Sequence, residues 1–234
     1  MEIIQSFNNF IETSYNIVEN ANKIIFNKLH KNKEILNYTN HSTTLIIYIH
    51  GKGGSPQESQ LLYNHLPKNI NFYAPFLNTA NTSIEDDSTF LFNKINDKFN
   101  ILYLTNIILI GYSKGGTIAL YFANQYHNKC NISKIITISS PLNGTKLSSF
   151  SDQTNIKNEL KYDNELLQNL IYLSKNNHLK IYNIVLIKDF VVLPITSQYL
   201  TYAKDVYFIN DNVSHYGIMY YDNTIKQILL WLNL

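Results

Sequence analysis

The chain has 234 residues, ample for one buried core and too few for two large domains. Nineteen lysines stand against seventeen acidic residues without strong blocks of either sign, a net charge of +2 that calls for neither nucleic acid nor an anionic membrane as partner. No arginine occurs, so the bidentate guanidinium clamp favoured for phosphate is missing, and a single cysteine, Cys130, excludes an internal disulfide.

The first thirty residues place Ile4, Phe7, Ile11, Val18, Ala21, Ile25 and Leu29 at three- and four-residue steps, which predicts an amphipathic helix within an N-terminal segment 1–40. Its polar face is rich in Asn rather than Lys, so it is expected to pack on its own domain instead of a membrane. This terminus lacks the basic flank and continuous apolar stretch of a secretion signal, and no run reaches bilayer length; a cytoplasmic location is the expectation, and membrane association is not indicated.

Next comes Leu45-Ile46-Ile47-Tyr48-Ile49, a β-branched run bounded by polar residues and glycine, as in a strand buried on both faces. Similar runs recur at 70–73, 107–110, 135–138, 181–187 and 206–209. Helical patterns lie between most of them: one capped by Ser83 with Glu85, Asp86 and Asp87 in its first turn, one over 116–126, and one over 222–232. Strands alternating with helices predict a mostly parallel sheet covered on both faces. Residues 142–178 break the rhythm with a Ser-, Gly- and Asn-rich loop and then a Leu-rich helical stretch. They read either as a cap or lid inserted over the sheet's C-terminal edge, or as a crossover helix with a long lead-in.

Residues 111–115 spell Gly-Tyr-Ser-Lys-Gly between a predicted strand and a predicted helix. In that setting G-x-S-x-G describes a tight turn that lifts its serine out at the end of the strand, which makes Ser113 the candidate nucleophile. A serine hydroxyl needs a base to take its proton, and a histidine suits because its unperturbed pKa lies near the working pH. The imidazole is in turn oriented by a carboxylate. His215 follows the last predicted strand and Asp189 the one before it; Asp211 and, more weakly, Asp205 remain open as the acid. The developing oxyanion requires fixed donors. The backbone N–H of Lys114 is one, and the loop His50-Gly51-Lys52-Gly53-Gly54-Ser55 offers the N–H of Lys52, with Gly53 behind it. His50 is expected to shape that loop rather than act as a base.

With these pieces assembled, the chain resembles the α/β-hydrolase superfamily, and within it the small lipase- and esterase-like serine hydrolases. The matching residues are His50-Gly51, the elbow 111–115, Asp189 with the following Val-Val-Leu-Pro, and His215 with Gly217. The resemblance spans residues 45 to about 220 and implies strand order 2-1-3-4-5-6 for the six runs, within the single α/β-hydrolase domain expected over 1–234. It places the oxyanion loop and the elbow where strand order reverses. Two departures stand out. The usual initial antiparallel strands are not evident, and Lys114 replaces a commonly apolar or amide residue, so its charge is expected to bear on substrate choice beside the acyl site.

Other glycine motifs fail on spacing: neither G-x-x-x-x-G-K-[ST] nor a helix-opening G-x-G-x-x-G is present, and H-E-x-x-H is missing, so no nucleotide, cofactor or metal is expected. The reading is a serine hydrolase cleaving acyl or lipid-like carboxylic esters through an acyl-enzyme. A thioesterase or acyltransferase would use the same parts, and a binding protein could keep the fold without turnover.

Overall fold

Along Leu45–Ile49 alternate side chains enter different cores: Leu45, Ile47 and Ile49 pack on one side of the sheet, Ile46 and Tyr48 on the other. The computed structural model describes residues 33–39, 41–150 and 158–234. The amphipathic helix expected in the first thirty residues lies outside them.

Seven strands form one sheet: β1 (Ile35–Asn37), β2 (Thr44–Ile49), β3 (Asn71–Ala74), β4 (Asn106–Tyr112), β5 (Ile132–Ile138), β6 (Ile181–Leu186) and β7 (Asp205–Ile209). Their order is β1-β3-β2-β4-β5-β6-β7. The six runs read from sequence therefore lie in the expected order, and all pair in parallel. The seventh strand is a correction. Residues 35–37, counted with the N-terminal helical segment, pair antiparallel with β3 at the sheet edge, Ile35 opposite Ala74.

Among the described residues, five α-helices cover the sheet: α1 (Gln60–His65), α2 (Ile84–Lys98), α3 (Lys114–Tyr126), α4 (Glu165–Asn176) and α5 (Asp222–Leu232). Leu91 and Ile95 of α2, Ile118 and Phe122 of α3, and Leu167 and Leu170 of α4 bury one face. Leu62 of α1 and Ile225, Ile228 and Trp231 of α5 bury the other. Ser83 caps α2 as expected, its hydroxyl accepting the Asp86 N–H at 2.9 Å.

Of the segment 142–178, α4 is a crossover helix between β5 and β6, packed on α3. Its lead-in is tied to the loop after β6: the Thr145 hydroxyl donates to the Val191 carbonyl at 2.9 Å, and the Lys146 N–H donates to the Leu193 carbonyl at 2.8 Å. Cys130 is buried, and desolvation pushes its thiol up to about 11, the behaviour of an inert core cysteine. No helix among the described residues is long and apolar enough to cross a membrane.

Candidate active site

β4 runs straight into α3 through Ser113, whose backbone sits at φ 52°, ψ −127°. This region is sparsely populated by residues with a Cβ and carries strain on the order of 1–3 kcal/mol. The turn closes because its glycines lack side chains. A Cβ on Gly115 would run into the Ile49 carbonyl oxygen, and one on Gly111 into the backbone of Gly115 and Gly116. Neighbouring strands hold the apex, with the Ser113 N–H donating to the Ile138 carbonyl at 2.9 Å.

Three strand ends converge on that serine. His215, in the loop after β7, has Nε2 at 3.0 Å from the Ser113 Oγ. Its Nδ1 lies 2.8 Å from Oδ2 of Asp189, in the loop after β6. A neutral imidazole satisfies both contacts in one tautomer, Nδ1–H donating to the carboxylate while Nε2 accepts from the hydroxyl. Asp189 and His215 are buried, and Ser113 is partly exposed. The tyrosine inside the elbow braces the histidine: the Tyr112 hydroxyl donates to the His215 carbonyl at 2.8 Å, and the two rings lie 5.3 Å apart.

Asp189 is held ionised by its surroundings. Burial works to raise its pKa, but the hydrogen bond and charge of His215, the Ser139 hydroxyl and the Val191 N–H outweigh burial and bring it below its ordinary value. The Ser139 hydroxyl donates to Oδ2 at 2.6 Å, and the Val191 N–H to Oδ1 at 2.7 Å. The two alternative acids are engaged elsewhere. Asp211 accepts the Tyr221 hydroxyl at 2.7 Å, and Asp205 accepts the Trp231 indole N–H at 2.9 Å.

The loop after β2 lies against the elbow, and a Cβ on Gly51 would sit 3.0 Å from that of Ser113. His50 is fully buried and structural, as expected. Its Nε2 accepts the Leu77 N–H at 3.0 Å, which leaves Nδ1 to donate to the Gly51 carbonyl, also at 3.0 Å. Lys114 opens α3, where a first-turn N–H has no intrahelical acceptor. Its side chain overturns the expectation of a charge beside the acyl site. The ammonium is buried and neutralised in an ion pair, 2.9 Å from the Asp87 carboxylate.

The model of the family described as PGAP1-like alpha/beta domain matches residues 40–230. The chain belongs to that family. Solved structures share the fold of this PGAP1-like domain. A lipase-esterase related protein from Clostridium acetobutylicum is 15% identical with a TM-score of 0.60, over 83% of this chain and 97% of its own. The lin2722 product from Listeria innocua is 17% identical with a TM-score of 0.63, over 82% and 94%. The mature form of Bacillus licheniformis lipase BlEst2 is 14% identical with a TM-score of 0.61, over 86% and 98%. No curated protein matches by sequence. The PGAP1-like domain is thus an α/β-hydrolase superfamily member with a lipase- and esterase-like hydrolase fold.

Sequence reasoning missed the side chains that hold this domain's site together. Ser139 directly follows β5 in a left-handed conformation, φ 46°, which aims its hydroxyl at Asp189. Gln198 is fully buried: its Oε1 accepts the Leu186 N–H at 2.8 Å, and its Nε2 donates to Asp189 Oδ2 at 3.3 Å. Glu58 reaches under the Gly51–Ser55 loop, accepting the Tyr48 hydroxyl at 3.2 Å and the Ser55 N–H at 3.3 Å. Desolvation pushes its carboxyl up to about 7 despite those bonds and one from the Gly51 N–H. A polar residue directly after a parallel strand is a usable signal for Ser139, and Ser55-x-x-Glu58 has the spacing of a capping box.

Proposed function

We propose that this protein is a serine hydrolase of carboxylic esters in which Ser113 is the nucleophile, His215 the general base and Asp189 the residue that orients the base. The observation that carries the reading is the unbroken relay from Ser113 Oγ to His215 Nε2 at 3.0 Å and from Nδ1 to Asp189 at 2.8 Å, built from three separate strand ends. As the Ser113 oxygen attacks the ester carbonyl, its proton passes to Nε2. The imidazolium then returns that proton to the departing alcohol, leaving an acyl-serine. Water, deprotonated by the same nitrogen, attacks the acyl carbon, and the imidazolium returns that proton to Ser113 Oγ as the bond to it breaks and the acid leaves. The N–H groups of Lys52 and Lys114 would receive the oxyanion.

An acyl or lipid-like ester is favoured as substrate class by the rim of the site. Phe190, next to Asp189, is 80% exposed, and Tyr216, next to His215, is 60% exposed, so the loops that carry acid and base each present a large apolar ring to solvent. The lipases among the structural relatives point the same way.

A fluorophosphonate probe tests the reading, since it labels only an activated serine. Wild-type protein should be labelled and should hydrolyse p-nitrophenyl esters of graded acyl length. Ser113→Ala should lose both, with turnover down on the order of a million-fold and thermal unfolding little changed. A folded wild-type protein that takes up no probe would refute the assignment.

A further inference from the structure

The Lys114 side chain is bound at three points, two of them in the turn after β3. Its ammonium donates to the Asp87 carboxylate at 2.9 Å, to the Thr79 carbonyl at 2.9 Å and to the Thr82 carbonyl at 2.6 Å. Lys114 and Asp87 are 1% and 2% exposed. A buried charge pair of this kind is costly to assemble and confers little net stability, so what it holds in place is the informative question. It holds the turn after β3. Thr82 is bound a second time through its hydroxyl, which donates to Asp87 Oδ1 at 2.6 Å.

Thr79 is the residue through which this turn meets the loop after β2. Its fully buried hydroxyl donates to the Gly51 carbonyl at 2.6 Å and accepts the Gly53 N–H at 3.0 Å. A hydroxyl has one proton and can accept at the same time, so a single atom pins the backbone on both sides of Lys52. The segment it pins contains Gly53 at φ +61° and has little conformational preference of its own.

We propose that Thr79 and the Lys114 ammonium are positioning residues that set the Lys52 N–H against Ser113. The two donors would then be coupled through one residue: Lys114 offers its own N–H to the oxyanion, and its side chain holds the loop that offers the other. The proposal rests on the hydrolase reading above and deepens it.

Thr79→Val keeps the shape of the side chain and removes the donor. The expected result is a fall in kcat of about 10- to 100-fold on p-nitrophenyl butyrate, because donors set out of place lose much of their effect on the transition state. KM should stay within about threefold, the second-order rate of fluorophosphonate labelling should fall in parallel with kcat, and Thr79→Ser should restore both. If Thr79→Val shows no cooperative thermal transition, the double variant Lys114→Met with Asp87→Leu serves instead. It replaces the ion pair by apolar side chains, keeps every backbone donor, and should show the same loss in kcat. Wild-type protein that labels, beside a folded variant that labels and turns over as fast, overturns the proposal and leaves the hydrolase reading standing. Wild-type protein that does not label overturns both.

Discussion

Glu58 makes folding stability depend on pH in a direction opposite to that of most carboxylates. Its ordinary pKa of 4.5 is raised to about 7 in the folded protein, chiefly because burial disfavours the charged form. Below about 4.5 the folded and unfolded chains both hold the proton, and above about 7 both have lost it. Between these values the folded chain keeps a proton that the unfolded chain has released, so raising the pH across this window draws the equilibrium toward unfolding. A displacement of this size is worth at most about 3.5 kcal/mol, since each unit of pKa corresponds to about 1.4 kcal/mol. Glu58→Gln cannot titrate there, and its amide oxygen can still accept from the Ser55 and Gly51 N–H groups. Urea unfolding of wild type and variant, followed by circular dichroism at pH 5, 6, 7 and 8, isolates this one group because every other titration is common to both proteins. The stability difference should move in the variant's favour by up to about 3 kcal/mol between pH 5 and pH 8, with most of the change before pH 7. A difference that stays flat with pH, or that moves toward the wild type, would refute the account of a carboxyl held protonated under the loop.

Asp189→Asn should lower kcat about 10⁴-fold, because an amide can hold His215 in the tautomer whose Nε2 cannot accept a proton. Its effect on stability should have the opposite pH signature to that at Glu58. The folded pKa of Asp189 lies below its ordinary 3.8, so the carboxylate's contribution is present at neutral pH and is lost as pH falls below that value. The variant's deficit at pH 7 should therefore shrink by pH 3 in the same unfolding assay; an equal deficit at both would count against the ionised carboxylate. Among the glycines, Gly115→Ala should cost at least about 3 kcal/mol, since its Cβ meets the Ile49 carbonyl rather than a movable side chain. Gly53→Ala, whose Cβ would stand 3.7 Å from that of Ala80, should cost only the roughly 1–2 kcal/mol of a left-handed residue. Comparable melting temperatures for the two would show that the elbow is looser than its geometry.

The central strands could be read because each is buried on both faces, so burial alone writes them as unbroken β-branched runs. The relay could be read because Ser113 and Asp189 stand just past such runs and His215 follows the edge strand β7, and parallel strands bring those ends to one edge. β1 had no comparable signature. Ile35, Leu36 and Asn37 acquire strand character only by pairing with β3, and Leu36 remains 46% exposed. The direction of the Lys114 side chain was equally hidden, because its acceptor Asp87 lies twenty-seven residues earlier, on another helix. Ser139 and Gln198 are ordinary polar residues in sequence, and only the fold brings them to Asp189. Glu58 is intermediate: the capping-box spacing from Ser55 announces one of its bonds, but not the one from Tyr48.

The residues that sequence could not reveal explain how a loop as pliable as Gly51-Lys52-Gly53-Gly54 can be held fixed, as the proposed donor role requires. Ordering the backbone costs roughly 1–2 kcal/mol per residue, and glycine loses more freedom than any other residue. Each hydrogen bond returns about 1 kcal/mol net. Three buried or partly buried side chains reach the loop, Thr79 at Gly51 and Gly53, His50 at Gly51, and Glu58 at Ser55 and Gly51, and Ser55 anchors its end by accepting the Gln57 N–H. Their combined contribution is of the same order as the cost of ordering the loop. In the proposed mechanism glycine would allow the backbone to turn its amides toward Ser113, and the surrounding side chains would hold it there before substrate arrives. Electrostatic stabilisation of a transition state requires donors that need no rearrangement at the moment of reaction. Weakening one of these bonds should therefore slow the chemistry well before it unfolds the protein.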